Sequence, residues 1–79
     1  MNDPPPRIAH NAGMDIRLNG EARTLPAPQT LQQLLEAEGL AGRRVAVEVN
    51  GEIVPRSCHA EHRLAEGDRV EIVHALGGG

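Results

Sequence analysis

Between Met14 and Leu18 the apolar residues Met14, Ile16 and Leu18 alternate with Asp15 and Arg17, which is the period of a strand with one buried face. Asn19-Gly20 follows, and Asn-Gly readily takes the positive φ angles of a tight hairpin turn, so a second short strand is predicted around Ala22 to Leu25. Pro26 and Pro28 stop it. Thr30 then opens a helix: it caps the amide end with Gln33 reaching back as a capping box, and Leu31, Leu34 and Leu35 form one apolar stripe. Gly39 ends that helix. Past the loop Leu40 to Arg44, Val45, Val47 and Val49 repeat the strand period, and a second turn at Asn50-Gly51 leads into Ile53 and Val54. Pro55 ends this strand or places it at an edge. A less regular stretch runs from Arg56 to Arg63, then come Leu64, the turn Glu66-Gly67-Asp68 and a last strand with Val70 and Ile72 on one face.

The order is two strands, a helix, two strands, a loop and one strand. A mixed sheet of about five strands accommodates it, with the helix packed across one face to cover the apolar side. That is an α+β, ubiquitin-like β-grasp arrangement. With 79 residues the chain holds one small domain, and the helix stripe reads as core packing because no other helix is available to cover the sheet. Residues 14–75 are assigned to this domain. Residues 1–13 carry three consecutive prolines and almost no apolar side chains, which predicts a disordered leader, or else a start placed upstream of a true start at Met14.

Composition excludes several functions. The formal charge of −3 and the absence of Phe, Trp and Tyr remove both the basic patch and the stacking platforms of nucleic-acid binders. No apolar run approaches the ~20 residues of a membrane-spanning helix. Cys58 is the sole cysteine, so no internal disulfide forms, and with no secretory signal in the opening residues a cytoplasmic setting is expected. Cys58, His59 and His62 lie close enough to suggest a metal site, but a structural zinc needs four ligands, and His10 and His74 sit in separate segments without metal-ligand spacing. No metal is assigned. Cys58 reads as an inert thiol rather than a redox or relay group, and His74 as an exposed residue at a strand end rather than a group that orients the chain's end in a partner's site. Arg56 is either a partner contact or the mate of a surface carboxylate such as Glu52.

The chain ends Leu76-Gly77-Gly78-Gly79, and three glycines at one chosen place arise by chance on the order of once in several thousand chains. Residues 76–79 are read as a flexible tail, against the alternative of a linker scar or frayed terminus. Without Cβ atoms an extended Gly-Gly segment threads a narrow channel and leaves its terminal carboxyl open to attack from both sides. So small a domain can hardly spare the stability that an internal catalytic cleft costs.

The segment Val45-Ala46-Val47-Glu48-Val49-Asn50-Gly51-Glu52-Ile53-Val54-Pro55-Arg56, followed by Leu64-Ala65-Glu66-Gly67-Asp68-Arg69-Val70-Glu71-Ile72-Val73 and the terminal glycines, resembles the ThiS family of thiamine-pathway sulfur carriers. The likeness covers Met14 to Gly79. The Gly-Asp turn is common to many β-grasp proteins; the Asn-x-x-x-Val-Pro-Arg signature with a terminal Gly-Gly is more particular. Two positions depart from the family as we read it, His59 and Ala75 standing where many relatives have aromatic residues. The resemblance implies that the chain is not an enzyme but a protein co-substrate. A ThiF-like, E1-type adenylyltransferase would use ATP to adenylate the Gly79 carboxylate, with Gly78 part of the reaching tail. A sulfur-donor system would convert it to a thiocarboxylate, and ThiG thiazole synthase would accept the sulfur for thiazole formation. No cofactor would be bound by the carrier itself. Two other readings stay open: a MoaD-like small subunit of molybdopterin synthase, which Val54-Pro55-Arg56 disfavours, and a non-conjugating β-grasp interaction module, which the glycines disfavour.

Overall fold

A computed structural model describes residues 13–74. In chain order the elements are β1 (Met14–Leu18), β2 (Glu21–Leu25), α1 (Leu31–Ala37), β3 (Val45–Val49), β4 (Glu52–Ile53) and β5 (Arg69–His74), with one turn of 3-10 helix at Arg56–Cys58 before β5. They form a five-stranded sheet in the order β2-β1-β5-β3-β4. β1 runs parallel to β5 and antiparallel to β2, while β3 is antiparallel to both β5 and β4. The sheet is therefore mixed, as expected, and the last strand lies at its centre.

Alternation along the strands decides which face is covered. Ile16 and Leu18 of β1, Leu25 of β2, Val47 and Val49 of β3, and Val70 and Ile72 of β5 are buried together with Leu31, Leu34 and Leu35 of α1. A single helix supplies three leucines to a sheet whose buried inner positions are β-branched or leucine, so the core fills without any aromatic ring. Val54 and Leu64 complete it from the connections. β4 is shorter than expected. Its ladder ends at Ile53; the amide of Val54 still donates to the Val47 carbonyl at 2.9 Å, but its side chain turns into the core. Pro55, which has no amide hydrogen, follows directly.

Both Asn-Gly pairs form the hairpin turns read from the sequence. Asn19 and Gly20 have φ of 51° and 86°, and Asn50 and Gly51 have 54° and 88°, the paired left-handed conformation of a type I′ turn. The helix starts with the expected capping box: Thr30 Oγ1 accepts the Gln33 amide at 3.2 Å, and Gln33 Oε1 accepts the Thr30 amide at 2.9 Å. It stops in a Schellman motif, with Gly39 at φ 77°, its amide donating to Glu36 and the Leu40 amide donating to Leu35.

The irregular segment after Pro55 has a task that local pattern did not reveal. The Leu31 amide donates to the His62 carbonyl at 2.8 Å, and the Gln32 amide to the His59 carbonyl at 3.0 Å. With the Gln33 amide bonded to Thr30, the first-turn donors that a helix leaves unsatisfied are thereby matched. A bridge between Thr30 and Arg63 and a bond from the Leu64 amide to the Gln29 carbonyl at 3.0 Å fasten the same junction. The seven-residue helix, too short to be stable in isolation, is held by its tertiary neighbours.

Candidate functional site

The assigned site residues, Gly78 and Gly79, and the rest of the predicted tail lie outside the described residues, as do residues 1–12 of the predicted leader. What the structure does define is the strand that leads to them. β5 is flanked by β1 and β3, and its Val70 and Ile72 side chains are buried. On the β3 side the register runs from Val49↔Val70 to Val45↔His74, so the strand is paired up to its last described residue.

On the β1 side, pairing stops earlier, at Leu18↔Val70. There the two turn asparagines contribute more than their backbone conformation. The Asn19 amide donates to the Val70 carbonyl, and Asn19 Oδ1 accepts the Ile72 amide, both at 2.8 Å. Asn50 acts at the other end of the strand, its Oδ1 accepting the Arg69 amide at 2.9 Å and its Nδ2 donating to Asp68 Oδ1 at 3.0 Å. The local pattern identifies both residues as turn formers, whereas their long-range bonds to β5 leave no local signal.

The uncovered face of the sheet carries Asp15, Arg17, Glu71 and the half-buried Ala46 and Glu48, together with two exposed apolar side chains, Ile53 at 65% and Val73 at 59%. Register places Ala46 beside Val73 and Glu48 beside both Glu71 and Ile53. Val73 brings an apolar contact surface to within two residues of the end of the described strand.

The remaining candidates are separated by the fold. Cys58 is exposed, His62 half-buried, and His59 buried with its ring Nε2 3.0 Å from the Val54 carbonyl. A carbonyl only accepts, so the His59 ring uses Nε2 as a structural donor. Among the described residues no group of three His, Cys, Asp or Glu is arranged to hold a metal ion. Arg56 is exposed and does not pair with Glu52; the ion pair found among the described residues is Arg23–Glu38 at 2.8 Å, from β2 to the C-cap of α1. The hydrogen bond to Glu38, then its charge, raises the Arg23 pKa further above its ordinary value. His74 is exposed, as expected of a strand-end residue, and with Leu18, Asn19 and Ile72 it lines a hollow of about 250 Å³ between the sheet and the end of the helix. No helix among the described residues is long and apolar enough to cross a membrane.

Comparison with known proteins agrees with this geometry. The family model described as ThiS family matches residues 16–79. The sulfur carrier protein ThiS of Escherichia coli is 33% identical over 66 residues, which cover 84% of this chain and all of that protein. A thiazole synthase of Paramagnetospirillum magneticum is 46% identical over 66 residues and one of Magnetococcus marinus 44%; the match spans 20% of each of those proteins, about a fifth of their length. The crystal structure of the thiamine biosynthesis protein ThiS from Geobacter metallireducens superimposes with a TM-score of 0.73 at 32% identity, covering 84% of this chain and all of that one. A helix-covered mixed sheet with its last strand at the centre, shared with that structure, and a family match running to the final glycine make this chain a member of the ThiS family.

Proposed function

We propose that this chain is a sulfur carrier of thiamine biosynthesis that works through the carboxylate of Gly79. The observation that carries the proposal is the extent of the family match, which continues past the folded strand β5 through the terminal glycines. A carboxylate is a poor acyl donor until one of its oxygens becomes part of a leaving group. In the proposed sequence a carboxylate oxygen of Gly79 attacks the α-phosphorus of ATP in an E1-like adenylyltransferase, the bond to the β,γ-phosphates breaks, and pyrophosphate leaves. A sulfide-equivalent nucleophile from the sulfur-donor system then attacks the acyl carbon, the bond to the phosphate oxygen breaks, and AMP leaves. The thiocarboxylate at Gly79 is the sulfur that a thiazole synthase consumes.

This chain's own part is to be recognised and to reach. Ordering each tail residue costs about 1–2 kcal/mol of backbone entropy, more for glycine, and docking of the folded surface must offset that cost. The uncovered sheet face with Ile53 and Val73 is available for it. The chain itself binds no cofactor in this scheme; ATP belongs to the activating partner. That relatives named thiazole synthase contain a segment similar to this chain supports thiazole synthase as the acceptor and favours the thiamine reading over the molybdopterin one.

Intact-protein mass spectrometry tests the scheme after incubation with a ThiF-type adenylyltransferase, ATP, and a cysteine desulfurase supplied with cysteine and a dithiol reductant, which releases its persulfide sulfur as sulfide. The expected result is an oxygen-to-sulfur mass shift that fragmentation confines to Gly79, abolished by deletion of Gly79 while the far-UV circular dichroism spectrum is unchanged. Full charging of the deletion variant would refute the assignment.

A further inference from the structure

The bond between Asn19 and Ile72 closes a gap in the sheet. In a parallel ladder one residue bonds on both sides of its partner: its amide donates to the residue before, and its carbonyl accepts from the residue after. Asn19 makes the first of these bonds with its backbone, donating to the Val70 carbonyl at 2.8 Å. A continued ladder would next bring the Ile72 amide to the Asn19 backbone carbonyl. That carbonyl is carried away because Asn19 has φ 51° and begins the turn. Its side-chain Oδ1 takes the vacated position and accepts the Ile72 amide at 2.8 Å.

We infer that Asn19 is a positioning residue for the C-terminal segment: its side chain extends the β1 edge by one rung and fixes the course of β5 near its described end, on the side of the chain that leads to Gly79. The inference rests on the carrier reading above. On the opposite edge β3 pairs with β5 up to Val45↔His74, so with Asn19 the strand is held from both sides within two residues of its described end. The five residues beyond His74 span at most about 18 Å when extended. Angular play at their root is carried to the reacting carboxylate, and a partner must remove that play on docking. Asn19 removes it beforehand. Its effect therefore falls on the concentration at which the carrier saturates its partner and not on the chemistry once Gly79 is seated.

Two substitutions in the full chain separate this role from the turn itself. Asn19→Gly keeps the left-handed backbone and deletes the acceptor, whereas Asn19→Asp keeps an acceptor oxygen on the same stem. The readouts are hydrogen exchange of the Ile72 amide, with the Val47 amide as control, and the kinetics of pyrophosphate release with a ThiF-type adenylyltransferase and ATP. For Asn19→Gly, Ile72 exchange is expected to speed up about 5-fold, the equivalent of one net hydrogen bond, and the KM for the carrier to rise by about the same factor at constant kcat. Val47 exchange stays unchanged, and Asn19→Asp stays close to the unmodified chain in both readouts. Normal charging of Asn19→Gly with unchanged KM overturns the inference while leaving the carrier reading intact. Failure of the unmodified chain to be charged overturns that reading, and the inference with it.

Discussion

Replacing His59 isolates a polar group at the heart of the loop that supports the helix. The residue is 3% exposed, its Nε2 donates to the Val54 carbonyl at 3.0 Å, and its own carbonyl accepts the Gln32 amide of the first helical turn. His59→Ala leaves the Val54 carbonyl without its donor, at a cost of about 1–3 kcal/mol, and opens a cavity that adds to the loss. A total of about 2–4 kcal/mol is expected. Stability near 0.05–0.15 kcal/mol per residue gives a domain of this size only about 3–9 kcal/mol altogether. His59→Phe removes the same donor but refills the space, so it is expected to recover about half of the loss. Because the chain has no Phe, Trp or Tyr, unfolding must be followed by far-UV circular dichroism instead of intrinsic fluorescence. In urea, with a slope near 1 kcal/mol per molar for so small a domain, the midpoint of His59→Ala moves down by about 2–4 M. A shift below about 0.5 M, or a Phe variant no more stable than the Ala variant, would show that the ring neither fills the site nor satisfies the carbonyl.

Other substitutions probe the same framework. Thr30→Ala removes one half of the capping box and is expected to lower stability by about 1 kcal/mol in the same urea titration; an unchanged midpoint would mean that the loop carbonyls of His59 and His62 alone hold the helix start. Leu34→Ala empties a fully buried position facing the sheet, costs about 2–5 kcal/mol, and is expected to leave a substantial unfolded fraction at 37 °C in an amide NMR spectrum. A fully folded spectrum with an unchanged melting temperature would contradict the packing described.

The periodicities at Met14–Leu18, Val45–Val49 and Val70–Ile72 and the capping pattern at Thr30 and Gln33 determined the elements, because each depends on contacts within a few residues. Asn19-Gly20 and Asn50-Gly51 likewise specified their turns, since few residues tolerate two successive positive φ angles. The terminal glycines marked an unhindered tail, and the resemblance to the ThiS family attached the proposed chemistry to it. What only the tertiary structure decided involves residues far apart in the chain. His59 and Asn19 are polar residues next to turns or loops, and locally nothing distinguishes them from solvent-facing neighbours. The buried His59 reaches the Val54 carbonyl through its ring and the Gln32 amide of α1 through its own carbonyl, and the Asn19 bond to Ile72 spans 53 positions. Strand order belongs to the same class: alternation shows that a face is buried but not which strand lies beside which. Packing placed the tail-bearing strand at the centre, between β1 and β3, where hydrogen bonding on both edges gives the proposed carrier a firm root for its reach.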